Sequence, residues 1–242
     1  MCFSVQVDKD LKKLAKRFNA TPSVQAFTNF NAIQKLENER GAEYLKAELG
    51  LKRKPRSKVF KDADEEGRVF PGYWTNVIVI ENNKRVIKPM RYRVRPAHSI
   101  EEIPSKYNVF NSRVDALEKR QTWQSIFMKN HGLFPFLKFY EWVERKGKKT
   151  LVNFTPDEVD IMWAPAIFDT WKSNDGHITF DSFALLTDDP PKEVEEAGHD
   201  RCPIFIKEES IDNWLDPKDL NKKDIYQILG KQETVYFSHQ IA

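Results

Sequence analysis

The sequence predicts an α+β fold: a single domain of mostly antiparallel strands forming a curved sheet or barrel, with helices inserted among them. Three observations carry this. After residue 70, short β-rich runs recur between turn signals, including Asn82-Asn83 and Asp175-Gly176. Helical spacing of apolar residues is confined to a few stretches set among those runs. No linker divides the 242 residues, of which 40% are hydrophobic and 12% aromatic, so one core is affordable.

The elements follow in order. Residues 2–7 are β-prone and read as a short buried strand. DKDLKKLAKRF then brings Leu11, Leu14, Ala15 and Phe18 to one helical face. Asn31 to Leu49, rich in Glu, Lys and Ala, is also helical in character. The KRKPRSK run at 52–58 reads either as a solvated linker or as an arm that contacts phosphate. VIVIENNKRVI at 77–87 is a hairpin, because Asn82 and Asn83 tolerate the positive φ of its turn. In PMRYRVRP at 89–96, Arg91, Arg93 and Arg95 alternate with Met90, Tyr92 and Val94. On a strand this puts three guanidinium groups on one face, either as a charged outer side or as a cationic strip for a nucleic-acid backbone.

Ser112 and Asp115 have the S-x-x-D spacing that starts a helix, here running to about Met128 with Leu117 and Phe127 buried. LFPFLKFYEWVERKGKKTLVNF reads as strand, Gly-Lys turn and strand. IMWAPAIFDTWKSNDGHITFDSFALLT is a second hairpin around Asp175-Gly176. EVEEAGHDRCPIFI is a short helix followed by a strand, and SIDNWLDPKDLNKKDIYQIL gives helix turns within a C-terminal helical tail over about 210–242. There is no internal repeat and no low-complexity segment.

The charge balance narrows the function classes. Charged residues make up 31%, but the net charge is only +3, so any anionic partner must be met by local clustering. Two cysteines, Cys2 and Cys202, make no disulfide framework and suit a reducing compartment. No apolar run reaches membrane-spanning length, and the Cys2 to Val7 patch, ended by Asp8 and Lys9, is too short for a signal peptide. The protein is expected in the cytoplasm, associated with the nucleoid, or in the nucleus of a eukaryotic cell. The five histidines show no paired-ligand spacing and there is no CxxC, so no metal site is expected; no glycine-rich phosphate loop appears either, and no cofactor is expected.

Cys2 is either a small buried hydrophobe or a nucleophile. Trimming of Met1, common ahead of a residue this small, would leave an α-amine and a thiol on adjacent carbons. An α-amine titrates near 7.7–8.0, so roughly a tenth is neutral at pH 7, a few hundred times the lysine fraction. A thiol one carbon away closes a five-membered ring on any imine the amine forms, so a 1,2-aminothiol traps aldehydes. Glu141, between Tyr140 and Trp142, is either an outward-facing strand residue or a carboxyl in aromatic surroundings suited to acid–base work. His199 in GHDRCP is structural or a proton shuttle. Asn111 caps a turn or holds a ligand, and Arg113 in the same loop can clamp a phosphate or carboxylate.

Taken in order, Cys2, FNSR, FPFLKFYEW, FALLT and GHDRCP resemble the SOS-response-associated peptidase (SRAP) family, which shields abasic sites. The matching positions are Cys2; Phe110, Asn111 and Arg113; Pro135, Phe139, Tyr140, Glu141 and Trp142; Phe183, Leu186 and Thr187; and His199, Asp200, Arg201 and Pro203. The likeness runs from Cys2 to about Trp214, interrupted by a divergent stretch over about 20–88. It implies a single SRAP-like domain, acting as a monomer on single-stranded DNA that holds an abasic site. The Cys2 amine would form a Schiff base with the ring-opened sugar, and its thiol would close a thiazolidine, a stable DNA–protein crosslink. Carried over, Glu141 and His199 handle protons, Asn111 holds the sugar or the Cys2 end, and Arg113, Arg91, Arg93 and Arg201 contact DNA. The family also implies a lyase-type activity on abasic DNA and self-processing of the N-terminus.

Several positions depart from the family pattern. Its Gly-Arg after Met-Cys is Phe3-Ser4, so a DNA-contacting arginine is missing at position 4. Its Arg-Cys is His131-Gly132, its Trp-Gly is Tyr92-Arg93, and the methionine of HDRMP is Cys202. The Arg91, Arg93 and Arg95 strip, the KRKPRSK run and a base-stacking Tyr92 are candidates to replace lost contacts. Two rivals remain. One is a non-catalytic single-strand-binding module with Cys2 as packing. The other is an N-terminal-nucleophile amidohydrolase, disfavoured by Phe3 and the lack of Asn-Gly-Asp.

Overall fold

The computed structural model describes residues 3–145 and 147–242. Its elements are β1 (Ser4–Gln6), α1 (Leu11–Phe18), β2 (Thr21–Pro22), α2 (Val24–Glu48), β3 (Arg68–Val69), β4 (Trp74–Glu81), β5 (Lys84–Tyr92), β6 (Asn111–Arg113) and α3 (Gln121–Gln124). Then come β7 (His131–Phe136), β8 (Lys138–Arg145), β9 (Lys148–Pro156), β10 (Met162–Lys172), β11 (Thr179–Asp188), α4 (Lys192–Glu196), β12 (Cys202–Pro203), α5 (Ile211–Leu215), α6 (Lys222–Gly230) and β13 (Phe237–Ile241). The expected α+β class is what is found. No described helix is long and apolar enough to cross a membrane.

Five strands close a barrel. The antiparallel order β11-β10-β7-β4-β5 returns on itself where Arg91 and Tyr92 pair in parallel with Ser182 and Phe183. Strand alternation sorts the side chains. Val77, Val79, Met90, Tyr92, Phe134, Phe136, Ala164, Ala166, Phe183 and Leu185 fill the interior. Ile78, Ile87, Leu133, Trp163, Ala184 and Leu186 face outward, under Leu14 and Phe18 of α1, Trp214 of α5 and Ile225 of α6. Burying each Val, Leu, Ile, Phe or Met among them contributes about 1.5–3 kcal/mol relative to exposure. A second sheet, β13-β9-β8-β1-β3, lays Val5, Phe139, Val143, Val152 and Phe154 on the same interior cluster.

The hairpin at Asn82 and Asn83 forms as expected, with φ of 51° and 59°. Helix α1 starts on Asp10, whose carboxylate accepts from the Lys12 and Lys13 amides, and ends on Asn19 in the left-handed region. Helix α2 starts earlier than expected, capped by Ser23, and bends at Gly41. Its Phe30, Ile33 and Leu45 cover Trp74, Trp171 and Phe180 at one mouth of the barrel. The divergent stretch therefore supplies working parts: β4 and most of β5 are barrel staves.

Four expectations need correction. The helix over 112–128 is absent: Ser112 lies in β6, which continues the parallel line of β5 along β11 through Leu185, Leu186 and Thr187. A 3-10 turn and the single turn of α3 follow, and they bury Leu117, Trp123 and Phe127 without helical periodicity. The run through FPFLKFYEW is two strands, because Leu137 donates its N–H to Gln6 O at 2.7 Å where the chain leaves the barrel for the second sheet. The strand after GHDR is short, only Cys202–Pro203. The C-terminal tail is not helical throughout, since β13 pairs with β9 and buries Phe237.

His131 and Gly132 open β7. His131 stacks on the Trp214 ring at 3.8 Å, with ring nitrogens 2.6 and 2.5 Å from Trp214 O and Phe127 O. Burial pulls its pKa below the ordinary histidine value. A Cβ on Gly132 would lie 2.8 Å from Val77 Cγ1. Gly132→Ala is therefore expected to cost about 1–3 kcal/mol through overpacking, seen as a lower urea midpoint at unchanged slope.

Candidate functional site

The site is assembled where β1 meets β8. Ser4, Val5 and Gln6 pair with Tyr140, Phe139 and Lys138. Continuing that register by one residue sets Phe3 beside Glu141, and the Phe3 N–H donates to Tyr140 O at 2.9 Å. Phe3 packs edge-on against Trp142 and Phe70. Cys2, the expected nucleophile, lies outside the described residues.

Glu141 is 3% exposed, on the inward face of β8 with Phe139 and Val143. The reading of it as an outward residue is thereby excluded. His199, after α4, places Nε2 at 3.4 Å from Glu141 Oε2. Its Nδ1 lies 2.9 Å from Arg201 O and 3.3 Å from Arg201 N. With Nδ1–H donated to the carbonyl, Nε2 is left facing the carboxylate, so a histidine and a buried carboxyl stand side by side.

Asn111 is 4% exposed on β6. Its Oδ1 accepts from Tyr92 Oη at 2.7 Å, and its N–H donates to Asn108 Oδ1 at 3.0 Å. Tyr92 is fully buried and stacks on Phe183, so it orients Asn111 and offers no face to a base. That corrects its expected stacking role, and the cause is strand parity: Tyr92 points into the barrel with Met90.

The arginine strip is also corrected. Strand β5 stops at Tyr92, and Arg91, Arg93 and Arg95 are buried, not displayed on an outer face. They converge on Glu102. Arg91 Nη1 is 2.8 Å from Glu102 Oε2, Arg93 Nε is 3.7 Å from Oε1, and Arg95 Nη1 is 3.6 Å from Oε2. Arg93 Nη2 also donates to Ile103 O and Pro104 O. Arg95 lies 3.5 Å from the Trp171 ring centroid, and burial lowers its pKa to about 10, so it stays charged at neutral pH. Burial alone would raise the Glu102 carboxyl, but the three guanidiniums outweigh it and hold it below the ordinary value. Sequence reasoning passed over Glu102 because it stands in the unpatterned segment SIEEIPSK.

Arg113 is held by Asp115 at 3.0 Å and Asp189 at 3.4 Å. Arg201 lies 4.0 Å from Asp200. It shares a cleft of about 880 Å3 with His199, Asn108, Lys106 and Arg120. A second cleft of about 680 Å3 is lined by Phe3, Phe110, Arg91 and Arg93. Ile103 lines both, so the two flank the Asn108–Asn111 segment. At position 4, Ser4 is fully buried and its hydroxyl accepts from Arg68 Nε at 3.0 Å; the Arg68 guanidinium lies 3.9 Å from the Tyr140 ring centroid. Cys202 is buried, which pushes its thiol pKa well up, so it stays a thiol.

The family model described as SOS response associated peptidase (SRAP) matches residues 1–241. "Abasic site processing protein YoqW" of Bacillus subtilis (strain 168) is 24% identical over 173 residues, 68% of this chain and 75% of that protein. "Abasic site processing protein HMCES" of Xenopus tropicalis is 25% identical over 178 residues, 65% of this chain and 53% of its own, so the match spans about half of that relative. A crystal structure of a protein from Bacteroides thetaiotaomicron shares the fold, with a TM-score of 0.70 at 17% identity, over 99% of this chain and 91% of that one. One from Bordetella bronchiseptica gives 0.69 at 18% identity, over 100% and 99%.

The Glu102 cluster makes a checkable demand. Glu102→Gln leaves three buried guanidiniums without their carboxylate and is expected to cost about 3 kcal/mol at pH 7. Because the folded pKa of Glu102 is depressed, its contribution is full above the unfolded value and fades as pH falls through the folded one. Urea titrations should therefore show the gap between wild type and variant closing below about pH 4.5.

Proposed function

Because the chain belongs to the SOS response associated peptidase (SRAP) family, we propose that it processes abasic sites in single-stranded DNA by trapping their aldehyde on Cys2. The observation that carries this reading is the buried Glu141–His199 contact at 3.4 Å, in register beside Phe3. Cys2 is bonded to Phe3. The proton-transfer pair is thus built next to where the nucleophile is attached.

The chemistry proceeds in three steps. Hydrolysis of the Met1–Cys2 bond frees the amine. The amine adds to C1′ of the open-chain sugar, and the carbinolamine loses one water to give the Schiff base. The thiol then adds to the imine carbon and its proton passes to nitrogen, closing the thiazolidine, so crosslinking of the processed chain releases one water. Glu141 and His199 protonate the departing hydroxyl and accept protons in the return direction. Asn111, fixed by Tyr92 and Asn108, holds the sugar or the Cys2 end through its amide. Arg113 and Arg201 meet flanking phosphates, and Arg91 and Arg93 line the strand's path from their seat on Glu102. Elimination from the Schiff base would give the lyase-type activity.

Mixing the protein with a single-stranded oligonucleotide holding one abasic site is expected to give an adduct that survives denaturation, with mass spectrometry placing it on Cys2 and Met1 gone. Cys2→Ala should give none. Glu141→Gln should slow adduct formation roughly a hundredfold or more. An adduct of equal yield with Cys2→Ala would sink the reading. Salt-sensitive binding without any adduct, in protein lacking Met1, would favour the single-strand-binding module instead.

A further inference from the structure

Lys52 and Arg53 stand at the head of the basic run and have no partner in the site described above. Both are exposed, and neither forms an ion pair with another described residue. Lys54, next along, is paired with Glu43 at 3.2 Å. Lys52 and Arg53 line the same cleft as Phe3, Arg91, Arg93 and Phe110, which gives that cleft four cations against one carboxylate, Glu102.

Their position is held from below. Gly50 has φ +56°, and a Cβ there would lie 2.4 Å from Ile100 O, so two backbones touch at the root of the run. The Glu102 N–H donates to Gly50 O at 3.2 Å. Arg95, with no exposed surface, donates to Leu49 O at 2.8 Å and Ile100 O at 3.3 Å, tying the two segments together. Leu51 packs on the cluster around Trp171 and Trp74. Two cations with no ion-pair partner among the described residues thus project from a fixed loop root into the cleft that Arg91 and Arg93 also line.

We propose that Lys52 and Arg53 bind the phosphate backbone of the DNA strand beside Phe3, making the 680 Å3 cleft the seat of one arm of the strand. This rests on the abasic-site reading above and adds to it where the strand runs. Arg91 and Arg93 supply field from behind, while Lys52 and Arg53 make the contacts that release counterions.

The test compares Lys52→Gln/Arg53→Gln with Lys12→Gln/Lys16→Gln, which removes the same charge from exposed positions on α1. Affinity for an abasic single strand is measured across salt concentrations with each protein as Cys2→Ala, and adduct yield at saturating DNA with Cys2 intact. Two lost contacts should flatten the log K against log salt slope by about 1.4, which is about 25-fold in affinity at 0.1 M salt. The α1 variant should stay near wild type, and all proteins should reach the same adduct yield. Equal effects of the two double variants would overturn the proposal while leaving the aldehyde-trap reading in place. A wild-type protein that neither binds nor crosslinks would overturn both.

Discussion

Val5 is buried against the interior cluster with Phe139 opposite it on β8, and this apolar pair fixes the register of the first strand. Side chains alternate along a strand, so a slip of one residue would turn Val5 off the interior cluster and put the Ser4 hydroxyl in its place. It would also move Phe3 off Glu141. The β1–β8 pairing is three residues long, but it is backed by β3 on the other side, where Val5 meets Val69. Phe3 is thereby held beside a buried carboxylate by core packing.

The Glu102 cluster is the second constraint. Three guanidiniums around one carboxylate leave an excess of positive charge under little solvent, which costs stability unless the donors are used. Part of that cost is offset by bonds to Glu102 and to the carbonyls of Leu49, Ile100, Ile103 and Pro104, while Arg91 Nε is buried without a hydrogen-bond partner. The cluster therefore does the work of a strand pairing, tying residues 49–53 to residues 99–104 where no sheet joins them. Its residual charge faces the cleft beside Phe3, which is where an anionic strand would lie.

The parts of the fold that local chemistry decides were legible in the sequence. Asn82-Asn83 and Asp175-Gly176 turn as their residue types require, and Leu14 and Phe18 face the core of α1 at helical spacing. Glu141, His199 and Asn111 stand out in the sequence because their motifs occur in order along the chain. What failed depended on distant partners. Ser112 has a helix-start spacing, but its backbone pairs with β11, which is far away in sequence. Arg91, Arg93 and Arg95 alternate like an exposed strip, but strand parity ends at Tyr92 and a carboxylate from an unpatterned loop collects them. Tyr92 read as a base platform because nothing local says which face of β5 turns inward.

These failures share a cause with the departures from the family pattern. The residues proposed for the chemistry sit on strands or are clamped to them: Glu141 on β8, Asn111 on β6, and His199 through Glu141. Sub-ångström placement of a proton-transfer pair requires that rigidity. Of the residues proposed for the strand, Arg91 and Arg113 lie near strand ends, while Lys52, Arg53, Arg93 and Arg201 sit on loops, where one cation can stand in for another because a phosphate asks only for charge at the right distance. Position 4 shows the exchange: the side chain there is a buried serine, and a guanidinium from β3 bonds to its hydroxyl and stacks on Tyr140. In the proposed reading, proton transfer and DNA contact are thus carried by different physical interactions, one asking for rigid geometry and the other for charge.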